Sequence, residues 1–195
     1  MGDIKRQRKK YSGPSKPYEK ERIEEEKKLM REYGFKNKRE LWKMESLLKE
    51  FKERAKKFVR DTPENIRLRQ ELIKKLYSLK LVEADAKIDD VLGLTLRELL
   101  ERRLQTIVYK KGLAMSVKQA RQFITHGFIM VGDKKITSPS YIVKRDEEEL
   151  VRIDPSSKLA NPDHPEMIKI LGRNKITKEE PEEKVEVVNK EGESS

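Results

Sequence analysis

At 195 residues the chain has room for one ordinary domain, or two small ones, with tails. Charged residues make up 42% and hydrophobic ones 35%, so any core is small relative to the surface, and the net charge of +11 points to a polyanionic partner, nucleic acid or an acidic membrane surface. The absence of cysteine excludes disulfides, thiolate catalysis and cysteine-held zinc, and the two histidines, His126 and His164, are too few for a histidine metal site.

The first 17 residues hold Lys5, Arg6, Arg8, Lys9, Lys10 and Lys16 with Gly13, Pro14 and Pro17 and almost nothing apolar. Such a segment does not fold alone. It reads either as a solvated tail or as an arm that orders on phosphate contacts. No apolar run follows the basic start, so a signal peptide is not expected, and no stretch is long and apolar enough to span a bilayer. A soluble, intracellular protein is the expectation, without a membrane partner. Charge is uneven: about +10 over residues 1–60, about −1 over 61–100, about +5 over 101–153 and about −3 over 154–195.

A helix is predicted from Tyr18 to Tyr33, closed by Gly34. A second begins at Asn37, with Glu40 placed for a capping box, and carries Leu41, Met44, Leu48, Phe51, Ala55 and Phe58 at helical spacing. Trp42 falls off that stripe and is read as packing against another element. Thr62-Pro63 starts a third helix, with Ile66, Ile73, Leu76 and Tyr77 inward and an end near Leu81. Residues 83–94 read as a connector; Asp85, Asp89 and Asp90 fit capping better than catalysis or metal binding, since no third acid or histidine lies nearby in sequence.

Thr95 with Glu98 opens the next helix, predicted to run to about Tyr109 with Leu96, Leu99, Leu100, Leu104 and Ile107 as its stripe. Gly112 ends it, Ser116 with Gln119 starts another, and His126-Gly127 closes that one. The period then changes to short strands at Phe128–Val131, Lys135–Thr137, Tyr141–Val143 and Leu150–Ile153, with a turn at Gly132-Asp133. Beyond Asp154-Pro155 there is an apolar patch at Met167–Leu171, and residues 174–195 read as disordered in isolation. The expected fold class is α+β: an arm over 1–17, a helical domain over 18–94, a two-helix, short-stranded module over 95–154 and an extension over 155–195.

The chemistry concentrates in the helix from Ser116. Val117, Ala120, Phe123 and Ile124 fall on one side, and Lys118, Arg121, Gln122 and Thr125 on the other. Solvated faces usually mix acids with bases, yet no acid occurs between Lys110 and Val131. Two cations and two hydrogen-bonding groups at one-turn spacing suit phosphates and 2′-hydroxyls. Lys110 and Lys111 precede this helix, and Lys134 and Lys135 follow in the hairpin; a hairpin folded beside the helix would join them into one basic patch. Arg103 falls inside the leucine stripe, where it either pairs with an acid such as Glu101 or a neighbour in the tertiary fold, or reaches RNA; Arg102 is expected on the outer face. His126 either contacts a phosphate or simply suits a helix C-terminus.

The runs ERRLQTIVY (101–109), GLA (112–114), ARQFITHG (120–127) and PSYIV (139–143) resemble the small RNA-binding module first known from the fourth protein of the small ribosomal subunit. That module also occurs in pseudouridine synthases, some tyrosyl-transfer-RNA synthetases and a heat-shock RNA-binding protein. DAKIDDVLGLTLRELL (85–100), RKKY (8–11) and KERI (20–23) resemble the ribosomal family itself, in its archaeal branch, over roughly residues 1–172. The resemblance implies binding to small-subunit ribosomal RNA, nucleation of the assembly of the subunit body, a contribution to translational accuracy, contact with small-subunit protein five, and a cytoplasmic location. It transfers RNA contact to Arg102, Arg103, Lys118, Arg121, Gln122 and His126. Some bacterial members carry a cysteine zinc site; with no cysteine here, no metal or other cofactor is expected, nor a small-molecule substrate. An RNA-modifying enzyme would need a further catalytic domain, and only about 40 weakly apolar residues follow the module. A free-standing stress or ribosome-rescue protein would lack the long helical front. A purely helical interaction protein using the Leu41–Phe58 stripe would leave the acid-free face unexplained.

Overall fold

The computed structural model describes residues 8–60, 62–161 and 164–172. The fold is α+β, as expected. Four helices lead: α1 (Lys20–Glu32), α2 (Lys38–Lys57), α3 (Pro63–Ser78) and α4 (Ile88–Gly93). α5 (Leu96–Glu101), α6 (Leu104–Lys110) and α7 (Val117–Thr125) follow, then β1 (Ile129–Val131), β2 (Lys134–Lys135), α8 (Arg145–Glu148) and β3 (Val151–Ile153). A helix over 165–172 is the last described element. The strands form an antiparallel sheet of order β2-β1-β3.

Three apolar clusters organise these elements. Phe51 and Ala55 of α2 pack with Leu72 and Leu76 of α3 and with Ile88, Val91 and Leu94. Tyr33, Phe35, Leu41 and Met44 pack with Leu99 and Leu100 of α5. From Leu104 onward, α6, α7 and the sheet share a core that also takes in Leu159 and Ile170. The leucine stripe is thus divided: α5 serves the helical front, and α6 serves the module.

That division breaks the helix predicted to run from Thr95 to Tyr109. The Thr95–Glu98 capping box forms, with Thr95 N–H donating to Glu98 at 3.0 Å. Arg103 then leaves helical geometry (ψ 140°) and makes an isolated bridge to Ile142. The Arg102 carbonyl accepts from Val143 N–H at 2.9 Å, and Leu104 N–H donates to the Tyr141 carbonyl at 2.7 Å. Segment 141–143 therefore satisfies backbone at the break instead of forming a fourth strand.

Other expectations are corrected in kind. Residues 83–94 hold the short helix α4, because Ile88, Val91 and Leu94 have a cluster to enter; Asp90 caps it by accepting from Lys87 N–H at 2.7 Å. In α3 it is Leu72, not Ile66, that is buried, and Ile66 is exposed. That helix stops at Ser78, and Lys80 takes a positive φ of 57°. Asn37 caps α2 without its side chain, the Glu40 N–H donating to the Asn37 carbonyl at 3.1 Å instead, and the Glu40 carboxylate is engaged elsewhere. Gly34 fits its place closely: at φ +61° a Cβ would lie 2.9 Å from the Gln105 amide nitrogen and 3.1 Å from a Val117 methyl. Gln105, fully buried, donates to the carbonyls of Gly34 (3.2 Å) and Val117 (2.9 Å), tying the end of α1 to the start of α7.

Candidate nucleic-acid interface

The helix carrying the acid-free face folds as its sequence dictates. Ser116 caps α7 by accepting from Gln119 N–H at 3.2 Å, and Gly127 follows the end at φ 75°. Ala120, Phe123 and Ile124 are buried, while Lys118, Gln122, Thr125 and His126 are exposed. Among the described residues no carboxylate pairs with Lys118. His126 stacks on Phe128 with ring centroids 5.9 Å apart, which holds the imidazole flat against the module.

Arg121, on the same face, is differently placed. Its guanidinium grips Glu40 of α2 with both prongs, at 2.7 and 3.0 Å. Arg103 donates to the same carboxylate at 3.1 Å and stacks on the Phe35 ring, its guanidinium carbon 4.3 Å from the centroid. Burial alone would push the Glu40 carboxyl up; the hydrogen bonds and charges of Arg121 and Arg103 outweigh it and hold the group below the ordinary glutamate value. One carboxylate thus neutralises two arginines and joins the helical front to the module. Sequence reasoning placed Glu40 in a cap. The signal it passed over is that Glu40 is the sole acid between Lys36 and Lys43.

Arg102 is not on the outer face. It is 7% exposed, donates to Glu148 at 2.8 Å and to the Val143 carbonyl at 3.1 Å, and Lys80 reaches the same Glu148 oxygen at 3.0 Å. Arg103, whose position the pattern left open, is 1% exposed. At the break between the two helices Arg102 supplies a donor to the Val143 carbonyl, while Arg103 is taken up by the Glu40 carboxylate.

The remaining lysines do not gather into one patch. Lys110 pairs with Glu101 at 3.0 Å, and Lys111 donates to the carbonyls of Glu149 and Val151; both line a cleft with Lys80, Arg102 and Glu148. Lys135 pairs with Asp154 at 2.5 Å, and that bond, with two donors from Ser156, pushes the Asp154 carboxyl down to about 2. Lys134, beside it on β2, is exposed.

The described part of the basic arm, from Arg8 onward, is seated. Ser12 N–H donates to the Ser46 hydroxyl at 2.9 Å, Tyr11 lies 6.1 Å from Trp42, and Lys9 caps the Tyr11 ring at 4.7 Å. Trp42 packs, as expected, and its indole N–H donates to buried Glu26 at 3.0 Å. Arg8, Lys9 and Lys10 are exposed, and Lys10 reaches a cleft of about 590 Å³ between α2 and the module. Lys5 and Arg6 lie outside the described residues, as does the predicted disordered stretch 174–195. No group of three or more His, Asp or Glu among the described residues is arranged to hold a metal ion.

Comparison with known proteins places this geometry. Residues 102–149 match the S4 domain family. The small ribosomal subunit protein uS4 of Ignicoccus hospitalis is 52% identical over 159 residues, 80% of this chain and 95% of the relative. The chain belongs to the uS4 family of small ribosomal subunit proteins. Its members are ribosomal components, not enzymes. The uS4 of Picrophilus torridus is 46% identical over 94% of this chain and all of the relative, and that of Hyperthermus butylicus 49% over 82% and 92%. All three are archaeal, so the chain falls in the archaeal branch of the family. The S4 domain match begins at Arg102, where α5 gives way to the module core.

Proposed function

We propose that this chain binds small-subunit ribosomal RNA directly as a structural component of the cytoplasmic small ribosomal subunit. Nucleating assembly of the subunit body, supporting translational accuracy and touching small-subunit protein five belong to the same proposal. The observation that carries the RNA reading is the outer face of α7, where Lys118, Gln122, Thr125 and His126 stand exposed with no acid in the helix. Lys134 and the arm cations Arg8, Lys9 and Lys10 are exposed as well, and Lys5 and Arg6 continue the arm in sequence. Arg102 and Arg103 are removed from the phosphate and sugar contacts, because a buried, paired guanidinium has no surface to offer an RNA backbone. Lys110, Lys111 and Lys135 contribute charge to the field more than direct contacts. Arg121 holds the module in place and presents only its remaining N–H groups outward.

The test is binding of the full chain to small-subunit ribosomal RNA and to bulk transfer RNA across a salt series. The wild type should prefer the ribosomal RNA at moderate salt, and Lys118→Ala with Lys134→Ala should weaken that binding without changing the melting temperature. Equal, salt-fragile binding to both RNAs, unmoved by the substitutions, would reduce the surface to a nonspecific polycation.

A further inference from the structure

The cleft between α2 and the module is lined by two kinds of residue. Met44, Leu47, Pro139 and Ile142 form an apolar wall, while Lys10, Lys43, Arg103 and Arg121 supply cations, with Glu40 and Glu50 among them. At about 590 Å³ it lies in the range that encloses small organic groups. Two features mark it as more than a gap in packing. Arg103, 1% exposed, lines it and keeps its Nε and Nη1 without an acceptor among the described residues. Arg121 belongs both to this wall and to the outer face of α7, so the cleft is continuous with the surface proposed to meet RNA.

Resting on that RNA reading, we infer that this cleft receives one unpaired nucleotide of the bound RNA, with its base inside and its phosphate at the rim. The charges set this orientation. A phosphate at the inner end would face the Glu40 carboxylate, which already neutralises both arginines. An uncharged aromatic ring meets no such repulsion; it gains the apolar wall, and its carbonyl or ring nitrogen supplies an acceptor beside Arg103. Lys10 and Lys43, both exposed, stand where the phosphate would leave the cleft. Single-stranded RNA is commonly recognised through splayed-out bases of this kind. The second large cleft, about 630 Å³ between Leu81 and Glu98, is lined by Glu83, Asp85, Asp89, Asp90 and Glu98 and would repel a nucleotide.

Base-specific chemical modification of small-subunit ribosomal RNA, bound to the full chain, tests the inference. Ser140 lines the cleft, and Ser138 is exposed two residues away. The wild type should shield at least one unpaired base that Ser140→Trp leaves reactive, with binding about tenfold weaker, the scale of burying one apolar group. Ser138→Trp should behave as wild type. Lys43→Glu, a surface change that leaves the core intact, should expose the same base. The inference is overturned if Ser140→Trp, still folded, and Lys43→Glu both shield every base the wild type shields. Loss of all preference for ribosomal over transfer RNA in the wild type would instead sink the RNA reading beneath it.

Discussion

Two sets of cations, a few residues apart in sequence, serve opposite ends. At the seam between helical front and module, Arg102, Arg103 and Arg121 face inward or sideways and each is matched by a carboxylate, Glu148 or Glu40. On the outer face of α7, Lys118 stands in water with no matching acid among the described residues. The chemistry of the side chains suits the division. A planar guanidinium accepts burial when its fork is satisfied and can stack on a ring, as Arg103 does on Phe35. A lysine is a strongly hydrated point charge, better kept at the surface for a partner that arrives later. A basic protein therefore does not spend all its charge on its polyanion; part of it fixes the angle at which the rest is presented.

This contrast breaks first at Glu40. Glu40→Ala leaves the buried Arg103 charge without its carboxylate, and thermal or denaturant unfolding should show a loss of about 3 kcal/mol, the usual cost of removing one partner from a buried pair. A loss under about 1 kcal/mol would mean that Phe35 and solvent suffice for Arg103. Arg102→Ala should follow at about 2 kcal/mol, since it strips a charged hydrogen bond from Glu148 and a donor from the buried Val143 carbonyl. Arg102→Ala touches neither the α7 face nor the cleft beside α2, so at temperatures where the variant remains folded its affinity for ribosomal RNA should stay within about threefold of wild type, less than one tenfold step of about 1.4 kcal/mol.

The reverse pattern is expected of Lys118→Ala. Stability should hold within about 0.5 kcal/mol, as for an exposed surface change. The slope of log affinity against log salt should fall by about 0.7 to 0.9, the share of one phosphate contact. An unchanged slope would take Lys118 out of the contact surface and leave α7 as a solvated helix.

The contrast was only half legible in the sequence, for a physical reason. The α7 face could be read because periodicity, the Ser116 cap and the run without acids are all local properties, and local rules place them on one helix. The seam is made of partners far apart in the chain: Glu40 with Arg121, Arg102 with Glu148, Gly34 with Gln105. Nothing in the spacing around Glu40 distinguishes a capping glutamate from one aimed at an arginine 81 residues away. For the same reason the leucine stripe read as one helix. Its periodicity is continuous across Arg102-Arg103, but its two halves pack into different clusters, and the backbone breaks to let them.

The smallest expected effect concerns Asp154, where the hairpin lysines divide in the same way. Lys135 is held by Asp154 and Ser156, whereas Lys134 is exposed. The bond from Lys135, with those of Ser156, lowers the Asp154 carboxyl from its ordinary 3.8 to about 2. A carboxyl lowered on folding contributes stability that is complete above its unfolded value and is lost as pH falls through its folded value. The contribution of Asp154 should therefore be constant above about pH 4 and fade between about pH 4 and pH 2. Glu40, Glu26 and Glu148 are lowered as well and fade on acidification in their turn, so the wild-type curve alone cannot isolate one group. Asp154→Asn removes the charge and keeps the shape. The stability gap between wild type and Asp154→Asn should be flat from pH 7 to about pH 4 and narrow below it. A gap that stays constant down to pH 2 would show that Lys135 gains nothing from the carboxylate, and Lys135 would then join Lys134 as a cation free for the RNA.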